Sequence, residues 1–341
     1  MSRAVADVAA LPPPPPMGLR GGATHLAYVG VWESVARMPE RLVRRVPGTV
    51  GRAWFNRADP QQHARVRSHM ARLAPDAGAA ELDELTRAAY VSYARYWVDA
   101  FRLHRREAAD VAARCLGENL ATVDDALSEG HGAILATGHL GSWDIGALWS
   151  THRGWPMTVV AEVVEPRRLF DRFVTLRQGA GLGVIPLVRG GDMLDRLTEV
   201  VHSGGLATLL ADRDLSGTGP VVSFFGEPCR LPAGAAALAR RTGRPVAVGA
   251  FMTRDDDWHG VIQGPAMDLS TTDVAAGTQQ VAWRLEQLIR RFPEQWHVFV
   301  RNWLVDREPD HPAVAAWQRD PDGWLDDPTW RAEAAAVDGV R

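Results

Sequence analysis

Between about residue 132 and residue 291, short apolar runs alternate with amphipathic ones. This alternation constrains the fold more than any other feature of the chain. Strands are expected at 132–137, 157–164, 183–188, 206–212, 221–225, 246–252 and 259–263. Helices are expected between them, near 142–151, 166–178, 193–202, 233–241 and 272–291. Strands that read as continuous apolar runs, each followed by a helix, bury both faces and return to the same side of a sheet. The pattern predicts an α/β fold with a mostly parallel central sheet flanked by helices, and antiparallel strands late in the domain.

Upstream of the alternation the periodicity is helical. Leu26, Tyr28, Val29, Trp32, Val35 and Ala36 fit one wide apolar face over residues 24–46, which Pro39 must kink or break. Leu82, Leu85, Ala89, Tyr93, Tyr96, Trp97 and Phe101 recur at helical spacing, and a further helix is expected over 111–127. Residues 1–22 hold five consecutive prolines at 12–16 and read as a disordered or polyproline arm. Residues 306–341, rich in Asp, Pro and Ala and carrying Trp317, Trp324 and Trp330, read as a loosely packed acidic tail. One domain over 23–305 remains.

Composition removes several chemistries. All 38 basic residues are arginine, so a P-loop lysine, a kinase strand lysine and a lysine Schiff base are excluded. Two cysteines, Cys115 and Cys229, cannot build a disulfide framework or a Cys-rich zinc site. Neither a secretion leader nor an apolar run near the ~20 residues that span a bilayer is visible. The net charge of −3 gives no reason to expect nucleic acid, but it hides an asymmetry. Residues 17–75 contain ten arginines and only Glu33, Glu40 and Asp59 as acids, a local +7. An apolar helical face beside such a stretch suits an anionic membrane surface, at ~1 kcal/mol per arginine. A core helix with a solvated basic edge is the competing reading.

Residues 133–149, AILATGHLGSWDIGALW, carry the chemistry. An apolar strand runs into Gly138 and His139, and Asp144 follows five residues on as the next helix begins. Reactive groups of open α/β sheets gather at the carboxyl ends of strands. An imidazole there can accept a hydroxyl proton while a carboxylate holds its other nitrogen. Spacing alone does not decide, since His139 as a helix cap with Asp144 in a solvated first turn serves equally well. The glycines at 179, 181 and 183 are no dinucleotide fingerprint, because Val184 occupies the third glycine position and the run follows a helix. There is no G-x-S-x-G elbow and no H-E-x-x-H motif. The aspartates at 255–257 read as a solvated hairpin turn.

The HLGSWD segment resembles the His-x4-Asp box of the lysophospholipid and lipid A acyltransferases, whose glycerolipid-acyltransferase-like fold it implies. With SYARYWVDAFRL, AEVVEPRRLFDRFVTLRQGAGLGVIPL, LLADRDLSGTGPVVSFFGEPCRLPAGAAALA and QWHVFVRNWL, it looks like the phosphatidylinositol mannoside branch of that group, over roughly residues 24–305. The resemblance implies His139 as catalytic histidine with Asp144 as its partner, and Glu162 and Arg177 lining the site. Asp212 stands where the family usually has a glutamate assisting the histidine; being one methylene shorter, it is expected to reach the ring only through water. Arg213 follows the family pattern and is expected to bind an anionic group. Without the resemblance, Glu162 and Arg177 read better as a structural ion pair, Asp212 as a turn cap, and Phe224 and Phe225 as buried strand.

The expectation is a peripheral acyltransferase on the cytoplasmic face of the inner membrane. It would move a long acyl chain to a hydroxyl of a glycolipid, with no resident cofactor and no metal. Acyl-CoA is the implied donor and the mannose of a phosphatidylinositol mannoside the implied acceptor. A lauroyl-type enzyme using acyl carrier protein, or a non-catalytic lipid-binding protein, are the alternatives. Burying a sixteen-carbon chain is favourable by on the order of 12 kcal/mol, so a deep apolar groove should end near His139.

Overall fold

The computed structural model describes residues 19–188, 190–255 and 257–338. Most of the expected proline-rich arm lies outside these residues, as does Asp256 of the acidic run. The chain opens with α1 (Leu19–Arg37), α2 (Glu40–Val43), α3 (Val46–Arg57), α4 (Pro60–Leu73) and α5 (Ala79–Arg102). Pro39 separates α1 from α2 as expected. Asp59 caps α4 by accepting the backbone N–H of Gln62 at 3.1 Å, with Pro60 in the first turn where its missing N–H costs nothing.

Then come α6 (Ala108–Ala113), β1 (Cys115–Glu118), α7 (Ala121–Ser128), β2 (Ala133–Thr137), α8 (Trp143–His152), β3 (Met157–Glu162), α9 (Arg167–Gly179) and β4 (Gly183–Leu187). They are followed by α10 (Met193–His202), β5 (Leu206–Leu210), β6 (Val221–Phe224), β7 (Glu227–Arg230), α11 (Gly234–Thr242), β8 (Val246–Arg254), β9 (Asp257–Ile262) and α12 (Val274–Arg291). Seven strands form one sheet in the order β1-β9-β8-β2-β5-β3-β4, in which every neighbouring pair is parallel except the β8–β9 hairpin. The predicted mostly parallel sheet with late antiparallel strands is what forms.

Period two along β2 sorts the core. Ile134 and Ala136 join a cluster with residues of α4, α10, α11 and α12, while Ala133 and Leu135 face a second cluster with α6, α7 and α8. Two strands differ from expectation. The single helix expected over 111–127 is divided by β1, where Asn119 turns the chain at φ 57° and Cys115–Glu118 pairs with β9. The turn expected after Phe225 leads into β7, which pairs antiparallel with β6 around Phe225 and Gly226, at φ 54° and 82°.

The tail also differs. α13 (Leu304–Arg307), α14 (Pro312–Arg319) and α15 (Pro328–Asp338) enclose Trp324 and Trp330, which are 2% and 5% exposed, in a small core of their own. Its alanines let the helices close around the two indoles, and Trp324 Nε1 donates to the Gly226 carbonyl at 3.2 Å, tying the tail to the β6–β7 turn. At the other end, Trp32, Val35 and Ala36 of α1 are buried with Phe101 and Phe173, but Leu26 and Tyr28 stand 70% and 40% exposed. The face expected to be continuous is divided between core and solvent. Among the described residues, no helix is long and apolar enough to cross a membrane.

Candidate active site

Strands β2 and β5 run side by side, with Thr137 opposite Leu210. Two residues beyond these ends, that register sets His139 opposite Asp212. The backbones stay together past the strands, because the N–H of Ala211 donates to the Thr137 carbonyl at 2.8 Å. His139 Nδ1 meets Asp212 Oδ1 at 2.8 Å, and the His139 backbone N–H donates to Oδ2 at 2.7 Å. The contact is therefore direct, which corrects the expectation of a bridging water. Gly138 permits it, since a Cβ there would sit 2.9 Å from Asp212 Oδ2.

Burial works to raise the Asp212 carboxyl, but the charge of His139, its two hydrogen bonds and the indole of Trp296 hold it below the usual range. An ionised carboxylate accepts only, so Nδ1 carries a proton whichever state the ring adopts, and in the neutral ring the lone pair lies on Nε2. The His139 side chain is 21% exposed and lines a cavity; among the described residues Nε2 has no hydrogen-bond partner. Such an imidazole can take a proton from a hydroxyl and return it to a leaving group.

Asp144 lies in the first turn of α8, as expected, but its partners differ from those expected. At the start of α8 it accepts Arg177 Nε at 2.7 Å and Nη2 at 3.4 Å, from α9, and the phenol of Tyr96 at 3.1 Å, from α5. Among the described residues no hydrogen bond links Asp144 to His139, so the assignment of Asp144 as the ring's partner is corrected to Asp212. Burial disfavours the Arg177 charge, yet the carboxylate beside it drives its pKa upward, and the guanidinium stays charged. Burial and Asp144 hold the Tyr96 phenol well above its ordinary range. Arg177 thus pairs with Asp144 through Nε and Nη2 while lining the cavity. The alternative Glu162–Arg177 ion pair does not form. Glu162, at the end of β3, faces Arg213 Nη1 at 3.9 Å instead, both partly exposed.

The loop that carries His139 is clamped from several sides. Gly141, at φ 61°, lies so close to β8 that a Cβ would come 2.3 Å from the Phe251 carbonyl. The N–H groups of Gly141 and Ser142 donate to the carbonyls of Gln295 and Phe251 at 3.0 and 2.8 Å, and that of His297 to the His139 carbonyl at 2.8 Å. Ser142 Oγ donates to buried Asp99 at 2.6 Å. His297 stacks on Tyr93 and bonds Ser92 Oγ at 2.9 Å; burial pushes it down to about 3, so it is neutral. Tyr96, Trp296 and His297 were visible in the sequence only as polar aromatics within otherwise apolar motifs. Nothing there indicated what their polar atoms would touch.

A cavity of about 490 Å³ opens beside His139. Aromatic side chains line it, among them Tyr93, Trp97 and Trp143, with the ion pairs Asp144–Arg177 and Glu162–Arg213, and α1 contributes Tyr28. Beneath α8 the walls turn apolar, with Leu135, Ala147, Met157 and Ile262 beside Trp149, Trp155 and Phe251 over the sheet. Its volume falls in the range of small-molecule pockets, and an aliphatic chain suits its lining. Among the described residues, no group of three or more His, Cys, Asp or Glu side chains is placed to hold a metal ion.

Comparison with known proteins agrees with the resemblance. Residues 19–305 match the family model of bacterial lipid A biosynthesis acyltransferases. A phosphatidylinositol mannoside acyltransferase of Mycobacterium tuberculosis is 37% identical over 301 residues, covering 87% of this chain and 93% of that protein. One from Mycolicibacterium smegmatis is 36% identical over 302 residues, covering 86% of this chain and 96% of that protein.

Proposed function

The chain belongs to the bacterial lipid A biosynthesis acyltransferase family and is an acyltransferase acting on a lipid acceptor, and we propose that it transfers a long acyl chain from acyl-CoA to a mannose hydroxyl of a phosphatidylinositol mannoside. His139 acts as the base. Its Nε2 takes the hydroxyl proton while the oxygen attacks the thioester carbonyl carbon. The tetrahedral adduct then collapses, the carbon–sulfur bond breaks, and the imidazolium returns the proton to the thiolate. Asp212 orients the ring and stabilises the imidazolium that forms. Such general-base assistance contributes roughly 10²–10⁴ in rate.

What most supports this is the direct His139–Asp212 contact at a cavity whose walls suit a hydrocarbon chain. Acyl transfer is direct, without an acyl-enzyme. Ser142, three residues from the base, is bonded to Asp99, and Cys229 is buried with its thiol pushed up by desolvation. Arg213, only loosely paired with Glu162, grips anionic headgroup oxygens. The acceptor arrives from an anionic bilayer on the cytoplasmic face. The exposed Leu26, Val31 and Leu42 lie on α1 and α2 with the exposed Arg37 and Arg41, and α1 also reaches the cavity with Tyr28.

The test is mass spectrometry of mannolipid in anionic vesicles after incubation with isotope-labelled palmitoyl-CoA or palmitoyl carrier protein. The native chain should give a labelled ester with acyl-CoA, and His139→Ala, folded, should lower it by about 10²–10⁴-fold. A label from carrier protein alone would replace the donor. Substantial turnover by His139→Ala would remove the histidine from its role.

A further inference from the structure

The carboxylate that orients His139 is itself oriented. Asp212 Oδ1 faces the imidazole, while Oδ2 accepts the His139 backbone N–H at 2.7 Å and the indole Nε1–H of Trp296 at 2.8 Å. Asn302 Nδ2 fixes the same residue by donating to its main-chain carbonyl at 3.0 Å. A carboxyl group turns easily about its terminal torsion, so two donors on one oxygen select one plane. Trp296 is fully buried, and its ring is wedged among His69, Phe224 and Trp303 with centroids 5.7, 6.0 and 5.8 Å away. Its flanking residues, Gln295 and His297, clamp the His139 loop through their main chains. One three-residue segment therefore holds both halves of the pair.

We propose that Trp296 is a positioning residue for acyl transfer, its indole N–H setting the plane of the Asp212 carboxylate and with it the direction in which His139 Nε2 faces the cavity. This rests on the reading of His139 as the base. The surrounding groups are accounted for. His69 on α4 and His297 are both held down to about 3 by burial, and Tyr96 on α5 stays protonated. Asp144 and Arg177 neutralise each other, and Arg213 faces Glu162. Neither buried histidine nor Tyr96 changes charge in the middle of the pH range, so they do not distort a rate profile there.

Removing the indole N–H leaves more negative charge on Asp212, which favours the imidazolium and moves the acid limb of kcat/KM to higher pH. Trp303→Phe is the control. Trp303 is as buried as Trp296 and belongs to the same ring cluster, but its Nε1 donates to the Phe224 carbonyl at 2.8 Å, away from the pair. Trp296→Phe is expected to lower kcat about tenfold with KM for acyl-CoA unchanged, and to shift the acid limb upward by about half a pH unit. Trp303→Phe is expected to lose comparable thermal stability with an unmoved limb. Equal behaviour of the two variants would overturn the proposal, and so would full kcat in Trp296→Phe. Asp212→Asn, assayed alongside, separates the layers. If it retains transfer, the carboxylate is dispensable and the roles of Asp212 and Trp296 fall together, whereas turnover by His139→Ala is what removes the base; if it loses transfer while Trp296→Phe matches Trp303→Phe, only the role of Trp296 falls.

Discussion

Two buried carboxylates flank the His139 loop, and they are neutralised in different ways. Asp144 faces a guanidinium, which keeps its charge at any pH a protein survives. Asp212 faces an imidazole, whose charge can come and go, and is steadied by a backbone N–H and an indole. The first arrangement is static and holds α5, α8 and α9 together through Tyr96, Asp144 and Arg177. The second can change protonation without losing its geometry, because neutral donors remain whichever state the ring adopts. A carboxylate supports proton transfer when its partner can change charge, and supports architecture when its partner cannot.

Substituting each carboxylate by its amide is the sharpest way to break this comparison. Asp212→Asn removes the charge that selects the productive tautomer and is expected to lower kcat by roughly 10³–10⁴, measured as label transfer, with a smaller loss of stability than Asp144→Asn. Asp144→Asn is expected to show the reverse emphasis. It leaves Arg177 buried without its counter-charge, so denaturant titration should show a loss of about 3–5 kcal/mol, while the folded fraction keeps kcat within about tenfold. If Asp144→Asn abolished transfer at unchanged stability, the division of roles would be wrong.

A smaller effect concerns acid. His69 and His297 titrate near 3 when folded, against about 6.5 in the unfolded chain. The unfolded chain binds more protons in that window, so stability falls as pH drops below about 6.5, by about 1 kcal/mol per pH unit for each histidine. Asp212, whose folded carboxyl is depressed, adds stability present above the unfolded value that is lost as pH falls through the folded one. Urea midpoints from pH 7 to 5 should show the slope. His69→Phe should lessen it while leaving the acid limb of kcat/KM in place, separating the neutral histidines from the catalytic one.

The fold was legible because hydrophobic periodicity is a local property. The strands and helices from β2 to α12 appear within a few residues of their expected bounds, β7 apart. Those that escaped lack a local signal. β1 is four residues with an exposed middle and takes its identity from pairing with β9; β7 contains Pro228, which argues against a strand. The tail escaped for a similar reason, since nothing in an Ala- and Asp-rich stretch shows that Trp324 and Trp330 will find each other.

By itself the sequence determined the class of sheet, the position of His139 at a strand end and, through linked motifs, the family. Which carboxylate meets the imidazole was decided only in three dimensions. Asp144 is five residues away and on a helix that turns it toward α9; Asp212 is 73 residues away and two residues past the strand hydrogen-bonded to β2. Strand order and register, rather than distance along the chain, govern which side chains meet at the end of a parallel sheet, and both are set by how the whole core packs.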